Sequence, residues 1–159
     1  FTNIQEPQAE YSIHVYTSNS QMGSAIVNYN NCTGTQITGT ANYGYHFVRW
    51  SDGNTENPRS LVLTKDTELT ATFAKNIYNV NVSYNEKEGN VAGNTSAEYL
   101  GNATITATPN IGYHFTQWTD GNTDNPRTVT VEGDATYRAQ FIKSSYTIYV
   151  NQDCTNYIE

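Results

Sequence analysis

A seventeen-residue stretch that the chain uses twice constrains its fold more than any other feature. Residues 44–60 read GYHFVRWSDGNTENPRS and residues 112–128 read GYHFTQWTDGNTDNPRT, an offset of 68 with 12 of the 17 positions identical. The differences are mild: Val48 against Thr116, Arg49 against Gln117, Ser51 against Thr119, Glu56 against Asp124 and Ser60 against Thr128. A period of that length exceeds a solenoid repeat and matches a small domain, which predicts tandem modules with a hydrophobic core each. Modules this small bury only about 60% of the surface their unfolded chains expose, so each is expected to be modestly stable.

The period-two pattern at the head of each module points to β-structure. Tyr11-Ser-Ile13-His-Val15, Tyr78-Asn-Val80-Asn-Val82 and Tyr146-Thr-Ile148-Tyr-Val150 alternate apolar and polar residues, as a half-buried strand does. Tyr and Thr are abundant and Leu and Met scarce, which favours strands over helices. Further strands are expected at 24–29 and near 90–99, at Thr35–Ala41 and Ala103–Thr108, and at HFVRW and HFTQW. Two more per module follow, at Leu61–Leu63 and Val129–Val131, then ELTATF and TYRAQF. No stretch carries a 3.6-residue apolar period over ten residues. The expectation is therefore an all-β, mainly antiparallel chain of four parts: 1–10, the end of a preceding repeat plus linker; 11–77, module 1; 78–145, module 2; 146–159, the start of a truncated third module. Phe1 follows no initiator Met and aligns with Phe73 and Phe141, so the sequence reads as part of a longer protein. The connections at 74–77 and 142–145 are short and hold neither Gly nor Pro, which predicts modules strung into an elongated rod.

Charge excludes one class of partner. The net charge is −7, with module 1 neutral and the excess acid shared between module 2 and the flanks; a nucleic-acid binder needs a basic stripe, and the sequence has none. No apolar run is long enough to insert in a membrane. Cys32 and Cys154 occupy non-equivalent places and make no disulfide framework; Cys32 aligns with Leu100 and reads as a small hydrophobe.

Within the repeated stretch, Tyr45, Phe47, Tyr113 and Phe115, with the closing Phe73 and Phe141, are the candidate core. Strict alternation puts Tyr45 and Phe47 on one side and His46 and Trp50 on the other, unless a bulge re-aims the indole. Trp50 and Trp118 therefore have two readings: core anchors, which their identical context in both copies favours, or exposed platforms for sugar rings. Asp52, Asn54 and Glu56, like Asp120, Asn122 and Asp124, place oxygens at alternate positions, as a calcium loop begins. The EF-hand pattern then needs Gly at position six and Glu at position twelve, where this chain has Asn57 or Asn125 and Leu63 or Val131. A turn closed by Asx hydrogen bonds from Asp52, Asn54 and Asn57 is the competing reading. Arg59 and Arg127 can lie on the Trp face or pair with the Asp of their own loop. His46 and His114 are repeat-equivalent and sit in different modules, so they do not predict a metal site. No nucleophile motif, P-loop or C-x-x-C is present, no catalytic residue is assigned and no cofactor is expected.

The opening Y-x-V-x-V strand, the T-x-T-x-P-N-x-G-Y-H-F run at 104–115, the W-x-D-G-N-T-D-N-P-R turn and the closing V-x-G-D-A-T-Y-x-A-x-F at 131–141 together resemble the divergent internalin-type B-repeat, a bacterial repeat domain. The resemblance covers about 11–143. The first copy departs from it at Ala41-Asn42-Tyr43 and in its closing LTKDTELTATF. It implies a β-grasp-like module that serves as a spacer or interaction segment in secreted or surface-anchored bacterial proteins, with no catalytic residues. The residues themselves are equally compatible with a small sandwich. Three roles follow as expectations: a stalk whose partners are neighbouring repeats, a module that binds a glycan or host protein, and a fibre subunit that pairs through edge strands.

Overall fold

The computed structural model describes residues 11–30 and 34–147. Cys32, Cys154, the expected linker at 1–10 and most of the expected third module lie outside those residues. All regular structure in the described residues is β, as alternation predicts. The strands are β1 (Ile13–Thr17), β2 (Gly23–Asn30), β3 (Gly34–Ala41), β4 (Tyr45–Trp50), β5 (Arg59–Leu61), β6 (Thr67–Lys75), β7 (Ile77–Ser83), β8 (Gly89–Ala92), β9 (Thr95–Glu98), β10 (Asn102–Pro109), β11 (Tyr113–Trp118), β12 (Arg127–Thr130) and β13 (Ala135–Lys143). Among the described residues no helix is long and apolar enough to cross a membrane.

The chain divides into two compact units. The first holds residues through Tyr78 together with Ala97–Gly101 and Val131–Gly133; the second holds Asn79–Ser96, Asn102–Thr130 and the chain from Asp134. Two segments that the repeat period gives to the second module thus pack within the first unit.

In the first unit, one sheet runs β1-β6-β4 and the other β2-β3-β5. Its opening and closing strands pair in parallel, Val15 opposite Leu69, while β4 runs antiparallel to β6. Strand β3 lies between β2 and β5, antiparallel to both. Both sheets contribute to a single core of Ile13, Ile37, Trp50, Leu69, Ala71 and Phe73, with Val27, Phe47 and Leu61 against it. Alternation along β6 produces the inward set Leu69, Ala71 and Phe73.

The second unit repeats the plan with the order β12-β10-β8 in one sheet and β11-β13-β7-β9 in the other. Strand β7 pairs in parallel with β13, Val80 opposite Ala135. Its buried hydrophobic residues are Val80, Val82, Ala103, Ile105, Ala107, Trp118, Val129, Ala139 and Phe141.

Side chains secure the long-range parallel pairing in both units. Asp66 accepts from the backbone N–H and the hydroxyl of Ser12, at 2.8 and 2.9 Å, just ahead of β1. Its counterpart Asp134 accepts from the N–H of Asn79 at 2.7 Å. Each carboxylate sits in the turn before the closing strand and satisfies a donor at the opening strand.

Two expected elements need correction. The fifth strand begins two residues earlier than expected, at Arg59 and Arg127, because the Arg backbone pairs with Ile37 in one unit and Ile105 in the other. The expected strand near 90–99 is two strands, β8 and β9, in different sheets. Gly93 separates them with φ of +121°, and a Cβ there would press on the Thr104 carbonyl.

Candidate functional site

The repeated stretch is the site to build, and a bulge determines which way it faces. Phe47 pairs with Phe73, but Arg49 pairs with Thr72 and Trp50 with Ala71, so Val48 is an extra residue on β4. Phe115, Gln117 and Trp118 show the same slip against β13 around Thr116. One inserted residue reverses the parity of the strand. Both indoles therefore return to the side of Phe47 and Phe115, and their exposure is 0%. Each indole centroid lies 5.3 Å from the neighbouring Phe ring. The reading of Trp50 and Trp118 as exposed stacking platforms is corrected accordingly: neither ring offers a face to solvent.

The turn after each Trp is closed on the indole itself. Trp50 Nε1 donates to the Glu56 carbonyl at 3.0 Å, and Trp118 Nε1 donates to the Asp124 carbonyl at 2.9 Å. The Trp backbone is held as well, its N–H donating to Asn54 or Asn122 and its carbonyl accepting from Gly53 or Gly121. Asp52 and Asn54 make the expected Asx hydrogen bonds, accepting from the N–H of Asn54 at 3.1 Å and of Glu56 at 2.7 Å. Asp120 and Asn122 do the same at 3.3 and 2.8 Å. Of the oxygens weighed as calcium ligands, those of Asp52, Asn54, Asp120 and Asn122 thus take part in closing the turn. Among the described residues no group of three or more His, Cys, Asp or Glu side chains gathers as a metal ligand set.

Asn57 and Asn125 do something other than the Asx turn expected of Asn57. The Asn57 side chain accepts from the N–H of Gly39 at 2.9 Å and donates to its carbonyl at 2.7 Å. Asn125 grips Ala107 the same way, at 2.8 and 2.7 Å. Ladder pairing of β3 with β5 stops at Ile37, and that of β10 with β12 at Ile105. Each amide therefore supplies the hydrogen bonds of a strand that no longer reaches, and the following Asn57–Pro58 and Asn125–Pro126 peptides are cis.

Arg59 and Arg127 pair with the Asp of their own loop. Arg59 reaches Asp52 at 2.6 Å, and Arg127 holds both Asp120 oxygens, at 2.8 and 2.7 Å. Arg127 also lies 4.8 Å from the centroid of the Tyr137 ring, so its aromatic partner is that tyrosine. Partial burial pushes the Asp52 carboxyl up, but the hydrogen bonds from Arg59 and Asn54 outweigh it and leave the group below its ordinary value. At Asp120 the Arg127 hydrogen bond dominates and lowers the carboxyl; reciprocally, Arg127 is raised.

Of the expected core aromatics, Phe73 and Phe141 are buried at 5% and 6% exposure. Phe47 and Phe115 pack edge-on against them and are half-buried. Tyr45 and Tyr113 are half-buried too, and Tyr45 lies outside the core cluster, edge-on to Tyr99 at 5.4 Å. That correction exposes a residue the sequence reading missed. Tyr99 stands among Tyr43, Tyr45 and Tyr78, with centroids 5.7, 5.4 and 6.4 Å away. His46 Nδ1 meets the Asn76 side-chain oxygen at 2.8 Å, and His114 Nδ1 meets the Ser144 hydroxyl at 3.2 Å. A depression of about 430 Å³ in the second unit is lined by Glu88, Thr116, Thr119, Arg138 and Gln140, with Phe141 beneath.

With this geometry in place, comparison with known families identifies the class. The sequence profile described as "Divergent InlB B-repeat domain" matches residues 13–77 and again 78–145. The chain belongs to that family and consists for most of its length of two tandem all-β repeats. No curated protein and no solved structure matches it.

Proposed function

We propose that this chain is a non-catalytic spacer segment of a secreted or surface-anchored bacterial repeat protein, with the repeats 11–77 and 78–145 as its structural units. The observation that carries this reading is how the repeated stretch uses its chemistry. The indole N–H groups, the Asp52 and Asp120 carboxylates, the arginines and the asparagine amides all bond within their own turn or to the adjacent strand. Groups so engaged hold a module closed and are not poised for acid–base or nucleophilic work, which needs a base and nucleophile converging on an open site. Membership of a tandem repeat family supports a role in extending a chain. The short connection at 74–77, free of Gly and Pro, supports modules that succeed one another stiffly.

The test is reach. Small-angle scattering on chains carrying two, three and four repeats is expected to show the longest dimension growing by a constant step, about 30 Å for a domain of this size. A longest dimension that stays nearly constant as repeats are added contradicts the spacer reading. A glycan-binding role loses its main candidate with the burial of both indoles.

A further inference from the structure

The surroundings of Tyr99 are reproduced one repeat further on, where none of the described residues takes its place. In the first unit Tyr99 lies over Gly44, which is buried and has φ of +82°. A Cβ on Gly44 would run into the Tyr99 ring. Tyr43, Tyr45 and Tyr78 surround that ring edge-on, and the Tyr99 N–H donates to the Asn76 carbonyl at 2.8 Å. Tyr43 adds a hydrogen bond from its hydroxyl to the Glu132 carbonyl at 2.8 Å.

Ile111, Gly112, Tyr113, Ser144 and Tyr146 are the repeat-equivalents of Tyr43, Gly44, Tyr45, Asn76 and Tyr78. Their backbone frame is the same: Gly112 has φ of +84°, and its carbonyl accepts from the Ser144 N–H as that of Gly44 accepts from Asn76, both at 2.8 Å. What differs is cover. A Cβ on Gly112 would meet nothing within 4 Å, Ile111 is 103% exposed and Tyr146 80% exposed. An isoleucine and a tyrosine so exposed beside an open glycine form an apolar face that none of the described residues covers.

We propose that this face is a docking socket for the tyrosine-bearing tip of a further repeat of the same kind, which it takes up as Gly44 takes up Tyr99. The occupant is an aromatic ring carried on a reversed loop, with a backbone N–H directed at the Ser144 carbonyl. Isoleucine at 111 offers no hydroxyl, so this socket holds its guest by apolar contact and that single backbone hydrogen bond. The proposal deepens the spacer reading by naming the contact that fixes successive repeats.

The test joins residues 1–146 directly to a second copy of 79–145, so that Tyr146 stands where Tyr78 stands now. Hydrogen exchange over 110–118 and 142–146, read by mass spectrometry, compares this extended chain with the native one. Exchange at Tyr113 and Ser144 is expected to slow about tenfold on extension. Tyr99→Ala in the added copy alone is expected to restore the native rate without touching the socket. Tyr99→Ala in the native chain, as an internal control, accelerates exchange at Tyr45 and Asn76. Equal exchange in the native and extended chains overturns the proposal, as does protection that survives the alanine. Scattering on the same extended chain reads the spacer role separately: added length without protection removes the socket and leaves the spacer standing.

Discussion

The side-chain amide of Asn125 stands where β12 no longer reaches β10, and it satisfies one donor and one acceptor of Ala107 together. Replacing it leaves both backbone groups of buried Ala107 without a partner, and orphaned groups cost about 1–3 kcal/mol each. Asn125→Ala is therefore expected to destabilise the second unit by about 2–4 kcal/mol in urea unfolding, read by exchange of the β10 amides. Asn125→Asp keeps the acceptor but sets a carboxylate oxygen against the Ala107 carbonyl, and at neutral pH is expected to destabilise at least as much as the alanine. At Trp118 the loss is of another kind. Trp118→Phe removes the hydrogen bond to the Asp124 carbonyl and opens a void, for an expected loss of about 2–3 kcal/mol by the same measurement. The ion pairs set the acid limb of stability. Asp52 and Asp120 are held below their ordinary values when folded, so their contribution is present above the unfolded aspartate value and is lost as pH falls through the folded one. Stability is thus expected to be level from neutral pH to about 5 and to decline below about 4. Asp120→Asn should remove part of that slope, by no more than about 1 kcal/mol, since the carboxylate is 40% exposed and screened. These residues differ in how far the sequence revealed them. The Asp–Arg pairs were one of the options the sequence left open, because seven residues separate partners within one turn. The destination of Asn57 was not, because Gly39 lies on a strand 18 residues away that only the folded sheet brings near.

Strands were legible where alternation was strict. Strand β1 places Ile13 inside and His14 and Tyr16 outside, as period two requires. The bulge in β4 and β11 was one of two options the sequence left open, since Trp at an odd step from Phe must either face away or slip. Its physical reason is the value of burying an indole against Phe47 or Phe115. The parallel pairing of β1 with β6 was not legible, because its partners lie some fifty residues apart and no local signal marks parallel register. Nor was the split at Gly93, where a single glycine moves the chain from one sheet to the other. The two glycines that open β4 and β11 make a test at this scale. Gly44→Ala and Gly112→Ala both force a side chain into a left-handed backbone, a strain of about 1 kcal/mol. Only Gly44→Ala also displaces the Tyr99 ring. The first variant is expected to lower the unfolding midpoint clearly more than the second, and Tyr99→Ala should erase most of the difference.

At the scale of the whole molecule, duplication explains both what recurs and what does not. The hydrogen bonds of the turn, the bulge, the buried indole and the Asp-to-opening-strand contact appear in both units because each must close a core of its own. The departures fall where the two copies meet different surroundings. Leu69 is buried, while its counterpart Tyr137 supports Arg127; Tyr43 bonds to Glu132, while its counterpart Ile111 is bare. The repeat period made two cores legible in advance, but Ala97–Gly101 and Val131–Gly133 pack within the first unit, which the period alone does not reveal. The central claim is that both indoles of the repeated stretch close interiors and neither is presented to a ligand. Iodide quenching of the native protein tests it most directly, since the chain has only Trp50 and Trp118. Buried indoles are expected to give blue-shifted emission that iodide barely reduces until the chain is unfolded. Red-shifted native emission, or a substantial fraction quenched at low iodide, would place at least one indole at the surface and contradict the claim.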